Sequence, residues 1–355
     1  MSRPKALIVG VTGIVGNNLA HHLLSKGEWD VVGVSRRAPK GMSQVQAVTV
    51  DLQDRAATQQ SLQDVSATHV FYCTWTRQQT ETENIRVNGA MITNLLDAVT
   101  ASGRVQHVAL VTGLKHYLGP FEMYAKSKPV TPFRETQPRL DVANFYYTQE
   151  DILYASAEKQ GFTWSVHRPH TIVGYAVGNA MNLGVTLAVY ASICKATGRA
   201  FVFPGSSAQY NGLTDMTDAR ILAKHLTWAA TTSIASNEAF NIVNGDVFRW
   251  EQMWKVIADY FGLEVVPYSG EPTPLEKQMA DAAPLWDQIV QQQQLQPNPL
   301  DQLVSPWHTD ADLGRPMECI TEMSKSRQFG FKDYQQTEQS FISLFDQLRQ
   351  ERIIP

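Results

Sequence analysis

Cysteine is scarce: three residues, Cys73, Cys194 and Cys319, widely separated and odd in number. That spacing suggests neither a disulfide framework nor a Cys-x-x-Cys metal site. The nine histidines show no His-Glu-x-x-His or comparable pattern, so no metal is expected. Long apolar runs are also lacking; none approaches the roughly 18–20 residues that span a bilayer. Met1 to Lys5 leads straight into an apolar strand without a signal-peptide core, and a cytoplasmic protein with reduced thiols is expected. Charge of one sign is not in excess. A formal net charge of −4 over 355 residues gives no electrostatic reason to expect nucleic acid or a membrane surface as partner. With 43% hydrophobic and 18% charged residues, the composition is that of an ordinary globular enzyme.

What is present is a train of short, continuous apolar runs. Ala6 to Gly10, Val31 to Val34, Val45 to Val50, Val70 to Cys73 and Val108 to Val111 read as strands buried on both faces. Helical patterns lie between them, at about 15–26 and 84–101. A further helix is expected over 145–160, stopped by Gly161, and is followed by a sixth strand, Trp164 to Pro169. Alternating strands and helices imply an α/β fold, a Rossmann doubly wound parallel sheet. The core is expected over 1–178, with a returning strand near 239–245. Residues 179–355 form a mostly helical capping region for substrate, interleaved with the core because no linker separates them.

The first turn, Gly10-Val11-Thr12-Gly13-Ile14-Val15-Gly16, follows a strand and opens a helix. Glycines there permit the tight turn, bring backbone N–H groups near a pyrophosphate, and let helix and strand pack closely. At the end of the second strand stand Ser35, Arg36 and Arg37, with no acid to accept from a ribose 2′-hydroxyl. Guanidinium groups suit a 2′-phosphate, so NADPH is the expected cofactor. Asp51 and Leu52, ending the third strand, fall beside the adenine.

A short-chain dehydrogenase pairs tyrosine and lysine one helical turn apart. The literal match, Tyr124 with Lys128, is followed by Pro129 and Pro132, which oppose a helix. The helix before the sixth strand instead begins at Asn144-Phe145-Tyr146-Tyr147, and four residues after Tyr146 stands Glu150. A replacement cation has to come from elsewhere, and Lys115 follows the fifth strand at the ligand-binding edge of the sheet. Taken singly, a tyrosine opening a helix is ordinarily a packing residue, and a loop lysine is ordinarily solvated.

Jointly, several segments resemble a known family, the progesterone 5β-reductase and iridoid synthase-like (PRISE) enzymes, an offshoot of the extended short-chain dehydrogenases. They are Gly10 to Gly16, Ser35 to Arg37, Val70 to Trp75, Thr112 to Pro120, Asn144 to Asp151, Trp164 to Gly174 and Phe341 to Ser343, spread over the whole chain. The resemblance implies Tyr146 and Lys115 as the catalytic pair. It implies cofactor contacts at Thr12, Gly13, Ile14, Arg36, Arg37, Asp51, Leu52, Thr74, Val111, Tyr146, Ile172 and Asn179, Ala180 and Met181. Gly10, Val15, Gly16, Ser35, Trp75, Thr112, Gly113 and Pro169 adjoin these positions and complete the expected cofactor site. The sequence departs from the plant pattern at His170-Thr171, where Gly-Asn commonly follows Arg-Pro, and at Asn179-Ala180, where Ser-Met is common.

The implied activity is NADPH-dependent reduction of the C=C bond of an α,β-unsaturated carbonyl, an enone or enal. Tyr146 would stabilise the enolate and Lys115 would assist. Trp75, Phe121, Tyr124, Met181 and Phe341 are expected as the apolar substrate pocket. His116 and His170 have no carboxylate partner evident in the sequence and read as structural. Two alternatives stand beside this. One is an extended short-chain carbonyl reductase or epimerase using Tyr124 and Lys128; the other is a non-catalytic NADPH-sensing regulator. A small-molecule substrate is the expected partner, and a homodimer is compatible with all three readings.

Overall fold

In the computed structural model, residues 3–124, 126 and 128–355 are described. The apolar runs become strands β1 (Lys5–Val9), β2 (Asp30–Ser35), β3 (Gln46–Thr49), β4 (His69–Tyr72), β5 (His107–Val111) and β6 (Thr163–Pro169). Helix α1 (Ile14–Lys26) follows β1, α2 (Arg55–Leu62) follows β3, and α3 (Glu81–Thr100) follows β4. The single turn α4 (Lys115–Leu118) and the long helix α5 (Phe145–Gln160) lie between β5 and β6. Beyond β6 come β7 (Ile172–Val173), α6 (Leu183–Thr197), α7 (Ser207–Asn211), β8 (Thr217–Asp218), α8 (Ala219–Thr231) and β9 (Glu238–Ile242). The rest is helical: α9 (Trp250–Phe261), α10 (Leu275–Gln278), α11 (Ala282–Gln292), α12 (Leu300–Leu303), α13 (Pro306–Leu313), α14 (Ser324–Gln328) and α15 (Thr337–Gln350).

The main sheet has the order β3-β2-β1-β4-β5-β6-β9, all parallel. Strands β1, β2, β4 and β5 feed alternate side chains to two separate cores. Ala6, Ile8, Phe71 and Ala109 pack with Leu19, Leu23, Leu222 and Leu226 on one face. Leu7, Val9, Val70, Tyr72, Val108 and Leu110 pack with Ile92, Leu95 and Leu153 on the other. Burial on both faces is why these strands read as unbroken apolar runs rather than as alternating patterns. A third core joins α6, α9, α11 and α15 around Trp250, Trp254 and Trp286, all fully buried. No helix among the described residues is long and apolar enough to cross a membrane.

Chain order reverses between β1 and β4, so a crevice opens at their carboxyl ends, where such sheets bind ligands. Gly10 turns there with φ of 87°, and a Cβ on it would lie 2.8 Å from the Thr74 Cβ. Gly16 faces away from the crevice: its missing Cβ would sit 2.3 Å from the Gly10 carbonyl oxygen, a backbone atom. It sets how closely α1 packs on the turn and does not line the crevice, which corrects its expected place among the cofactor contacts. Gly16→Ala is expected to lower stability by about 1–3 kcal/mol, the clash outweighing alanine's helix preference. Denaturant unfolding would show it, and an unchanged midpoint would mean that the turn yields freely.

Candidate active site

One cavity of about 480 Å³ runs along the carboxyl ends of β1, β2, β4, β5 and β6. At one end lie Gly10, Thr12, Gly13, Ile14 and Val15, then Ser35, Arg36, Arg37, Asp51 and Leu52. Thr74, Trp75, Val111, Thr112, Gly113, Pro169, Ile172, Asn179, Ala180 and Met181 continue the wall towards Tyr146 and Lys115. Every expected contact except Gly16 therefore borders a single space. Gly13 caps α1 with no side-chain hydrogen bond, which leaves the first-turn amides of the helix available to an anion. Arg36 and Arg37 are exposed and make no ion pair among the described residues. A phosphorylated dinucleotide fits this donor set: free amides and space where a Cβ would intrude, then two uncommitted guanidinium groups.

Tyr146 sits in the first turn of α5, which is capped by Asn144, whose side chain accepts from the Tyr146 amide at 3.0 Å. The two neighbouring tyrosines have different fates. The Tyr147 hydroxyl donates to the His116 carbonyl and accepts from the Leu140 amide at 3.0 Å. The Tyr146 hydroxyl has no hydrogen-bond partner among the described residues, although the ring is 7% exposed and lines the cavity. Burial, and then the nearby Glu81 carboxylate, push its pKa well above the ordinary value. At neutral pH it is a protonated phenol able to donate.

Lys115 arrives from α4, with Nζ 5.9 Å from the centre of the Tyr146 ring and 4.4 Å from that of Phe145. Its ammonium pairs with Glu81 at 3.2 Å, and only 3% of the side chain is exposed. Burial lowers its pKa, and Glu81 opposes that fall. Glu150, one helical turn beyond Tyr146, binds Arg168 at 3.2 Å and Arg139 at 2.8 Å. Although burial opposes it, His116, Arg168 and Arg139 hold the Glu150 pKa at about 2. The position that would carry lysine in an ordinary dehydrogenase is thus an anionic strut between α5 and β6.

Trp75, Phe121, Tyr124 and Met181 line the cavity, with Trp75 stacked against Phe121 at 6.3 Å. Phe341 does not. It is fully buried between Trp250 and Phe345 in the third core, and its expected pocket role is corrected. Lys128 is exposed and outside the cavity, and the 3₁₀ turn Phe121–Met123 ends at Tyr124. Ala125 and Ser127, within that motif, fall outside the described residues.

Some cavity residues carried no legible signal in the sequence. His170 donates from Nδ1 to Asp215 at 2.7 Å, while its Nε2 lies 2.6 Å from an Arg315 guanidinium nitrogen. Burial disfavours a charge on His170, whereas Cys319 and Asp215 raise its pKa to about 9. A guanidinium can only donate, however, so Nε2 must hold a lone pair, and this arrangement requires a neutral ring. Arg315 also pairs with Asp312, and His308, Asp312, Arg315 and Arg77 all border the cavity. These partners lie 45 or more residues from His170 in the chain, which is why its carboxylate was invisible from sequence.

A family model described as a PRISE-like Rossmann-fold domain matches residues 44–355. An (S)-8-oxocitronellyl enol synthase of Nepeta racemosa is 44% identical over 364 aligned positions, covering 99% of this chain and 93% of the relative. A 3-oxo-Delta(4,5)-steroid 5-beta-reductase of Arabidopsis thaliana is 41% identical, with the same coverage of 99% and 93%. Among solved structures, a UDP-glucose 4-epimerase of Thermotoga maritima superposes with a TM-score of 0.67 at 14% identity, covering 98% of this chain and 99% of the epimerase. At that identity the likeness concerns the fold alone. The relatives match from end to end, including the segments that bring Tyr146 and Lys115 to one cavity, and the chain belongs to the PRISE-like Rossmann-fold family.

Proposed function

We propose that this protein is an NADPH-dependent reductase of the activated C=C bond in α,β-unsaturated carbonyls. The observation that carries the reading is the unpartnered, protonated Tyr146 phenol in the cavity that also holds the Lys115 ammonium and the Gly10–Val15 turn. Relatives whose names specify a 3-oxo-Delta(4,5)-steroid, a conjugated ketone, and an enol product support it.

Gly10, Thr12, Gly13, Ile14 and Val15 would hold the pyrophosphate, Ser35, Arg36 and Arg37 the 2′-phosphate, and Asp51 and Leu52 the adenine. Thr74, Trp75, Val111, Thr112, Gly113, Pro169, Ile172, Asn179, Ala180 and Met181 would form the nicotinamide end. The bound dinucleotide supplies hydride to the β-carbon. Negative charge then gathers on the substrate's carbonyl oxygen, and Tyr146 donates its hydrogen bond there. Lys115 adds positive potential beside the phenol, favouring the charged state of that bond. Trp75, Phe121 and Met181 hold the carbon skeleton and exclude water. The α-carbon takes its proton from solvent.

Incubation with NADPH and 2-cyclohexen-1-one or progesterone tests this: loss of NADPH absorbance should accompany a saturated ketone. Reduction of the carbonyl to an alcohol with the double bond intact would support an ordinary carbonyl reductase instead. Cofactor choice has its own test. Replacing both Arg36 and Arg37 by alanine is expected to cut kcat/KM for NADPH by about 10–100-fold, the worth of charge-assisted phosphate contacts. The value for NADH should hardly move. Equal losses with both cofactors would show that the arginines do not read the phosphate.

A further inference from the structure

We propose that Glu81 is the positioning residue of this reaction, one carboxylate that sets the Lys115 ammonium against the helix bearing Tyr146. The proposal rests on the Tyr146–Lys115 reading above and adds a residue that neither the sequence motifs nor the chemistry demanded.

Glu81 is the first residue of α3, and its side chain is 13% exposed. It accepts hydrogen bonds from three donor groups, each in a different place. Lys115 Nζ reaches Oε2 at 3.2 Å and Oε1 at 3.4 Å. The Phe145 amide, at the opening of α5, donates to Oε1 at 2.8 Å. The Asn84 side-chain amide donates to Oε2 at 2.9 Å. Asn144 closes the arrangement: it accepts from the Tyr146 amide and donates to the Lys115 carbonyl at 2.8 Å. Both the ammonium and the backbone of Lys115 are therefore tied to the first turn of the helix that presents the phenol. A carboxylate at that helix start is also favoured by the partial positive charge of the helix N-terminus.

Burying an ion pair is a poor way to gain stability, because desolvation consumes most of the attraction. The arrangement makes better sense as a device for keeping a charged lysine in an apolar wall. Lys115 is packed by Phe121 and Phe145 and faces four charged or titratable groups: Glu81, Glu122, Arg77 and Tyr146. Burial and Arg77 favour the neutral amine, and Glu122 and Glu81 favour the ammonium. Of the two carboxylates, Glu81 is the one in hydrogen-bond contact.

The test uses the full-length protein with NADPH and a small enone, following kcat/KM against pH. Deprotonation of Lys115, whose pKa burial lowers, is expected to give the basic limb. Glu81→Gln keeps an acceptor for the Phe145 amide but removes the charge, and should move that limb down by at least about one pH unit. Above both limbs this reads as a tenfold or greater loss. NADPH affinity should stay within about twofold. Glu81→Asp, charged but shorter, should place the limb between those of wild type and Glu81→Gln. A purely structural staple predicts otherwise: a lower melting temperature with the limb unmoved, and that result would overturn the proposal. Should Glu81→Gln fail to fold, an unmoved limb in Glu81→Asp overturns it equally. Lys115→Met and Tyr146→Phe are assayed alongside. If they keep full turnover the reductase chemistry itself fails; if they lose it while Glu81→Gln keeps rate and profile, only the role of Glu81 fails.

Discussion

Replacing Tyr146 by phenylalanine is expected to lower kcat for an enone by about 10²–10³-fold, with NADPH affinity unchanged within about twofold. The substitution is unusually clean. The Tyr146 hydroxyl engages no other described residue, so its loss orphans nothing, and the ring keeps its contact with Phe145 at 4.4 Å. What disappears is one donor in a low-dielectric cavity, where a hydrogen bond to a developing anion is worth far more than in water. The adjacent residue supplies the control. Tyr147→Phe removes a hydroxyl that serves the His116 carbonyl and the Leu140 amide, so it should cost stability and spare turnover. Tyr124→Phe, without a lysine partner in the cavity, should change kcat by no more than a few fold. Full activity in Tyr146→Phe, or the large loss appearing in Tyr124→Phe instead, would remove Tyr146 from the chemistry.

The residues that define this site were legible to different depths, for physical reasons. Strands β1, β2, β4 and β5 announced themselves because a strand covered on both faces is apolar along most of its length. The crevice followed from the Gly10–Gly16 turn, since a tight approach of backbone to ligand leaves a local mark in sequence. Tyr146 could be placed by its helix, and Glu150 by simple counting along that helix. The short strands β7 and β8, two residues each, are too brief to carry a period. Helix α2 is mostly polar and exposed, and its two buried residues, Thr58 and Leu62, are too few to mark a helical period. Phe341 misled because an aromatic side chain looks the same in sequence whether it fills a core or walls a pocket. Glu81 with Lys115, and His170 with Asp215 and Arg315, were invisible because their pairing spans 34 to 145 residues and no periodicity encodes it.

Acidification should destabilise this protein steeply between pH 6.5 and 5, well above the range where carboxylates titrate. A line of buried histidines crosses the sheet beneath α8. His107 bonds the Ser165 hydroxyl at 2.9 Å, and Ser165 bonds His167 at 2.9 Å. His167 meets His225 nitrogen to nitrogen at 2.8 Å, and His225 ends on Ser326 at 3.2 Å. Burial pushes the pKa of His107 and of His225 down to about 3, and that of His167 far below its ordinary value. The neutral chain is satisfied by hydroxyls and by a single proton shared between facing nitrogens, so there is no carboxylate to welcome an added charge. In the unfolded chain the same side chains titrate near 6.5. Below that pH the unfolded state binds more protons than the native one, and native stability falls with pH at up to about 1.4 kcal/mol per unit per histidine. At pH 5 each histidine costs about 2 kcal/mol, and the three together about 6 kcal/mol, a large share of the 5–15 kcal/mol that holds an ordinary domain. Denaturant unfolding at pH 7 and pH 5 would measure it, and His225→Gln, which cannot take up a proton, should flatten the slope by up to about 1.4 kcal/mol per pH unit. Equal stability at the two pH values would mean that the buried imidazoles accept protons without unfolding.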